Sequence, residues 1–176
     1  NDVAVAPRVM QSQGAAQRIL IADGDVHQGD GTAFIFQHDE SVRTFSLHAA
    51  KAFPARKMIA DVDIELPPGA DDDGYLEAWQ RGLDLATNCF EPDLVYFVAG
   101  ADPFVGDTLG GLAVSKNGLA RRDQILFELC RRKHWPVVTV MAGGYAAQIN
   151  DIVDIQFETI AASQRLRGIG TQQPID

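Results

Sequence analysis

Three apolar runs, "RILIAD", "DLVYFVAGAD" and "WPVVTVMAGGY", constrain this chain more than any other feature. Each is too continuous to leave one face in water, so each reads as a buried strand of a parallel sheet. Between them lie segments with helical spacing. "DVAVAPRVMQSQ" reads as a short helix ending near Gly14, and "TAFIFQHD" as another. "VRTFSLH" is a further strand, and "MIADVDIELP" alternates partly before Pro67, Pro68 and Gly69. Asp71 to Asp73 can cap a helix whose stripe runs through Leu76, Trp79, Leu83, Ala86 and Phe90. "LARRDQILFELCRRKH" is amphipathic with basic residues in its last turn. Ile152 to Arg167 reads as a surface helix followed by a frayed tail.

Strand, helix and strand in turn imply an α/β fold: a mainly parallel sheet between two helical layers. The 176 residues suffice for one domain with a sizeable core. A net charge of −9 argues against a broad basic surface, and so against nucleic acid or an anionic membrane as a direct partner. No apolar run reaches the roughly 20 residues of a spanning helix, and the start has no secretory signal pattern. Cys89 and Cys130 lie in helix-like segments without C-x-x-C spacing, and read as reduced core thiols of a cytoplasmic protein.

In parallel sheets, sites form at the carboxyl ends of strands. The first apolar run delivers Asp23, Asp25 and His27, which would point the same way on an extended chain. The second delivers Asp102 and the third Tyr145. One imidazole and two carboxylates suit a catalytic zinc with an open position for water, and a tyrosine hydroxyl suits an oxyanion. Each residue alone also has an ordinary structural use: a turn cap for Asp102, a bonded histidine for His27, packing for Tyr145. Together they point to a site.

"ADGDVHQGDGT", "TFSLH", "GADPFVGDTLGGL" and "AGGY" resemble, in order, the zinc-dependent histone deacetylase family, which includes acetylpolyamine amidohydrolases. "HAAKAFPARKMIADVDIELP" and "GDTLGGLAVSKNGLARRD" are most similar to its class IV branch. The resemblance implies the arginase/deacetylase fold. It implies Asp25, His27 and Asp102 as zinc ligands, Tyr145 as the oxyanion donor, and Gly143 and Gly144 as walls of a substrate tunnel. It implies a monovalent-cation site, for potassium or sodium, at the Asp23 side chain, the Asp25 and His27 carbonyls, the Ser46 hydroxyl and the Leu47 carbonyl. A second such site in some members would use the carbonyls of Phe36, Asp39 and Val42. The substrate implied is an acetylated or acylated amine: a lysine, a polyamine or a small metabolite.

The family's base is a tandem histidine pair. The four histidines here, His27, His38, His48 and His134, include no such pair, and Gln28 follows His27. Asp23 and Asp30 match the carboxylates that orient that pair. The chain, starting at Asn1, is therefore expected to be the C-terminal part of a deacetylase-like catalytic domain without its N-terminal strands, 1–176 forming one unit. It is expected to bind zinc without efficient turnover, and to self-associate through an uncovered edge. The rival from another class is a non-catalytic metal-binding or interaction fragment. An arginase-type ureohydrolase ranks lower, because Gly29 and Gly100 stand where bridging carboxylates would be needed. A phosphate loop ranks lower still, since neither "GDGT" nor "AGADPFVGD" has the required glycine spacing.

Overall fold

The computed structural model describes residues 1–166. The elements are α1 (Asp2–Ser12), β1 (Ile19–Asp23), α2 (Asp30–Phe36), β2 (Val42–Ala49), β3 (Val62–Leu66), α3 (Asp72–Thr87), β4 (Leu94–Ala99), α4 (Lys116–Lys133), β5 (Val137–Met141) and α5 (Ile149–Leu166). The strands form one five-stranded sheet in the order β3-β2-β1-β4-β5, every pair parallel.

The continuous apolar runs are explained by the period of two along a strand. Ile19 and Ile21 of β1 face a core shared with α1 and α2, through Ala4 and Phe36. Leu20 and Ala22 face the larger core built by α3, α4 and α5, with Trp79, Leu83, Leu126 and Ile155. β4 divides in the same way, Tyr96 and Val98 to one side, Val95 and Phe97 to the other. Three layers result, α/β/α as expected. Phe45, Trp79, Phe97 and Phe127 pack in a row across the larger core, tilted or edge-to-face, with centroid separations of 5.1, 5.8 and 5.8 Å.

Local signals set the helix ends. The Asp71 side chain accepts from the Gly74 amide at 3.2 Å and starts α3. Ser115 does the same for Gly118 at 2.9 Å and starts α4. β3 alternates buried and exposed residues, as one-sided edge strands do.

Some expectations need correction. β5 is not buried like β1 and β4. It is the outer strand among the described residues, with Val138 40% and Met141 63% exposed. β2 is the strand that shares the interior instead, buried at all but one position. α3 ends at Thr87, so Phe90 reaches the core from the following loop. Cys89 sits in that loop at φ +57° and is exposed, so Cys130 is the one core thiol. Burial pushes the Cys130 thiol up to about 12. α5 extends to Leu166; Arg167 and the expected tail lie outside the described residues. No described helix is long and apolar enough to cross a membrane.

The topology positions the site. From β1 the chain runs outward through β2 and β3, then returns to the other side of β1 with β4 and β5. The sheet order therefore reverses between β1 and β4, which opens a crevice at their carboxyl ends. In register, Asp23 is paired with Ser46 on one side and Val98 on the other.

Candidate metal centre

Asp25, His27 and Asp102 meet in this crevice. One ligand atom from each lies within 4.8 Å of the others. His27 Nδ1 is 3.0 Å from Asp25 Oδ1 and 3.3 Å from Asp102 Oδ2. Asp102 is fully buried, and its Oδ2 receives no hydrogen bond. Zinc–oxygen and zinc–nitrogen bonds of about 2.1 Å give tetrahedral ligand edges of about 3.4 Å. Two carboxylates, an imidazole nitrogen turned towards them and an unpaired buried oxygen thus fit a zinc ion.

The means of assembly differ from the extended strand expected. β1 stops at Asp23. Asp23 Oδ1 then accepts from the Asp25 amide at 3.0 Å, and Asp25 Oδ1 from the His27 amide at 2.9 Å. Two successive side-chain turns, rather than strand alternation, present Asp25 and His27. Asp102 Oδ1 accepts from the Val26 amide at 2.9 Å and ties the β4 loop to the β1 loop. Gly143 donates to Asp25 Oδ2 at 2.9 Å, and its carbonyl accepts from Ala101 at 2.6 Å.

Two glycines are required by close approach. A Cβ on Gly100 would fall 2.6 Å from Asp25 Cα and 2.8 Å from Asp102 Oδ1. A Cβ on Gly143 would overlap Asp102 Oδ2 and lie 2.7 Å from Asp25 Oδ2. Gly144 instead abuts Ile152 and Ala101.

The cluster is short of positive charge. Burial, and then the Asp25 charge, push Asp23 up to about 8. Asp102 is raised by the same two causes in the same order. A bound dication would reverse this and favour the ionised carboxylates.

Asp23 does not join the three ligand-type groups. With Gly29, Thr32, Thr44 and Ser46 it lines a separate cavity of about 10 Å³. Ser46 Oγ also contacts His48 Nδ1 at 3.1 Å, and Leu47 is fully buried. Asp30 opens α2 and is half-buried. At the second expected cation site, the Phe36 carbonyl accepts from Asp39 at 2.9 Å and the Asp39 carbonyl from Val42 at 3.0 Å.

Tyr145 follows Gly143 and Gly144 but is 51% exposed. Its backbone is what the structure fixes. The amide donates to Asp107 Oδ2 at 2.5 Å, and the carbonyl accepts from the Thr108 hydroxyl at 2.8 Å and amide at 3.2 Å. The other oxygen of Asp107 accepts from Leu109 and Gly110 at 2.8 and 2.9 Å. Sequence reasoning passed over Asp107, although "GDTLGG" carries it. It also passed over Arg122, whose signal was a charge on the core-facing stripe of α4 between Leu119 and Leu126.

A family model described as "Histone deacetylase domain" matches residues 1–159. The chain belongs to this family. It is 50% identical over 153 residues to an uncharacterized protein of Picosynechococcus sp., covering 87% of this chain and 51% of that protein. It is 32% identical over 148 residues to histone deacetylase 2 of Arabidopsis thaliana, covering 82% of this chain and 38% of that protein. The crystal structure of the HDA15 HD domain superposes with a TM-score of 0.78 at 31% identity, over 96% of this chain and 50% of that one. The chain thus spans between 38% and 51% of the length of these relatives.

Proposed function

We propose that residues 1–176 form the metal-holding, C-terminal part of a zinc-dependent amidohydrolase domain that removes an acetyl or acyl group from an amine. The juxtaposition of Asp25, His27 and Asp102, with an unpaired buried oxygen on Asp102, is the observation that carries this reading. These three side chains would hold the ion. Bound zinc supplies a water acidic enough to serve as a nucleophile near neutral pH, and a Lewis acid for the amide carbonyl. Gly143, bare of a side chain, leaves room beside the two carboxylates for a substrate amide. Tyr145, next in sequence to Gly143 and Gly144, would donate its hydroxyl to the developing oxyanion. Asp23, with Ser46, would hold a monovalent cation below the cluster.

Hydrolysis also needs a base for the water proton and an acid for the leaving amine. His27 Nδ1 faces the carboxylates and is committed to the metal in this reading. Asp23 and Asp30 would orient a histidine pair that residues 1–176 do not contain. The chain is therefore expected to bind zinc and to turn over acetylated amines poorly by itself.

The test is zinc stoichiometry by elemental analysis for this chain and for Asp102→Ala, beside a deacetylation assay with an acetyl-lysine peptide. About one zinc per chain, lost in the variant, is expected. No zinc on the unsubstituted chain would overturn the ligand assignment for this chain. Zinc bound with full turnover would overturn the dependence on a further histidine pair. Zinc bound without turnover, even when the part of a relative that this chain does not cover is supplied, would favour a non-catalytic metal-binding fragment.

A further inference from the structure

Directly beneath the metal cluster lies Arg122, on the sheet-facing side of α4 and fully buried. Burying a guanidinium is costly, and even a buried ion pair is seldom a net source of stability. Burial alone would make the charged form harder to keep, but Asp123 and Tyr75 together outweigh it and hold Arg122 protonated. The pairing is close: Nε donates to Asp123 Oδ1 at 2.8 Å, and Nη2 lies 2.7 Å from the same oxygen. Asp123 Oδ2 in turn accepts from the Thr159 hydroxyl of α5 at 2.5 Å.

The remaining nitrogen explains what the charge is for. Nη1 donates to the Gly100 carbonyl at 2.7 Å and to the Gly24 carbonyl at 3.2 Å. Gly24 directly precedes Asp25, and Gly100 lies two residues before Asp102. One guanidinium thus grips both loops that carry the ligand-type residues, at the point where each leaves its strand. Gly24 also rests on the arginine stem, since a Cβ there would lie 3.3 Å from Arg122 Cδ. The Tyr75 hydroxyl adds a second donor to the Gly24 carbonyl at 3.3 Å, and Trp79 Nε1 holds the Arg122 carbonyl at 3.1 Å.

We propose that Arg122 is a positioning residue for the metal centre: by bridging the Gly24 and Gly100 carbonyls it sets the spacing of the Asp25 and Asp102 carboxylates. This rests on the reading of those carboxylates as zinc ligands. The planar fork is what the role requires. It meets two carbonyls and a carboxylate at once, whereas a lysine ammonium at the end of a flexible stem has no fixed fork to span them. Removing Arg122 alone would leave the Asp123 carboxylate buried without its partner, whereas replacing both members of a buried ion pair by well-packed neutral side chains can preserve stability. Stability and metal affinity should therefore separate when both are substituted.

The experiment uses the whole chain, with Arg122→Lys, the double variant Arg122→Met with Asp123→Asn, and Asp102→Ala. Zinc affinity is read by competition with a chromophoric chelator, coordination geometry by the visible absorption of the cobalt(II) complex, and folding by thermal unfolding of the metal-free protein. Arg122→Lys and the Arg122→Met/Asp123→Asn double variant should bind zinc about 10–100-fold more weakly, as expected for groups that support metal ligands from behind. Their cobalt absorption should change, metal-free unfolding should stay cooperative, and lysine should fail to rescue. Folded variants with zinc affinity within about twofold of the unsubstituted chain and an unchanged cobalt spectrum would overturn the proposal. If neither Arg122 variant folds, Thr159→Val is read instead. It leaves Arg122 in place, removes a donor from Asp123, and should weaken zinc measurably; unchanged affinity and spectrum would overturn the proposal. Failure of the ligand reading is distinguishable, because the unsubstituted chain would then bind no zinc.

Discussion

The loops after β1 and β4 and the loop after β5 all begin at the same end of one sheet, yet they are built differently. The two central loops are locked to each other. Asp102 accepts from Val26, Gly24 donates to the Val98 carbonyl, and Arg122 bridges both from below. The outer loop touches the cluster at Gly143, but the side chain of Tyr145 is half in solvent, and its backbone is held by Asp107 and Thr108. Interior strands supply fixed ligand geometry, while the outer strand supplies a residue whose backbone alone is fixed. The three ligand-type side chains are thus set by the centre of the sheet, whereas the Tyr145 side chain is set by what packs beside β5.

The largest expected effect sets the two regions directly against each other. Zinc at about 100 times its dissociation constant should stabilise the chain by about 2.7 kcal/mol. In a chain of this size that is a rise of about 5–10 °C in the unfolding midpoint. Asp102→Ala should abolish this rise and Tyr145→Phe should leave it intact, as read by scanning calorimetry with and without zinc. A rise that also vanished in Tyr145→Phe would break the comparison.

Next in size is Gly100→Ala. Its new methyl would meet Asp25 Cα at 2.6 Å, a backbone contact that cannot rotate away. A loss of about 1–3 kcal/mol in denaturant unfolding is expected. A loss below about 0.5 kcal/mol would show that the central loops are looser than described.

Asp107→Ala removes the acceptor for three backbone amides on or beside the outer loop. It should cost about 1 kcal/mol in global stability. Amide hydrogen exchange at Tyr145 should accelerate about tenfold, while the Val26 amide, bonded to Asp102, should change little. Equal acceleration at both would mean that the two regions open as one unit.

The smallest effect concerns the thiols. Cys89 is exposed, whereas burial raises the Cys130 thiol to about 12, which favours the neutral form in the folded chain. At pH 8 a thiol reagent should modify one cysteine quickly and the second only after unfolding, counted by mass. Two fast thiols would contradict the tight packing of α4.

Much of this arrangement was legible in the residues. The period of two hidden in "RILIAD" and "DLVYFVA" fixed two buried faces and hence three layers, because a strand with no polar face must be covered on both sides. Asp71 marked a helix start, since its side chain satisfies an amide that a helix leaves free, whereas Ser115, which caps α4, lies ahead of the segment "LARRDQILFELCRRKH" expected to be helical. That Asp25, His27 and Asp102 would meet was legible through the rule that strand ends gather in a parallel sheet. β5 was misjudged because "VVTVM" is as apolar as an interior strand. Its exposure depends on the absence of a further strand beside it among the described residues, which no local pattern encodes.

Residue types and their periods, read by themselves, determined the class of fold, the end of the sheet that carries the chemistry and the kind of ligands offered there. These are local properties: apolar spacing follows from backbone geometry, and ligand chemistry from side-chain type. Only the tertiary structure decided how those ligands meet. The Asx turns that aim Asp25 and His27, the bare glycines that let Gly100 and Gly143 approach carboxylates, and the Arg122 fork 98 residues from Gly24 all arise from contacts between distant segments. Such contacts exist only once the order β3-β2-β1-β4-β5 has brought the ends of β1 and β4 side by side.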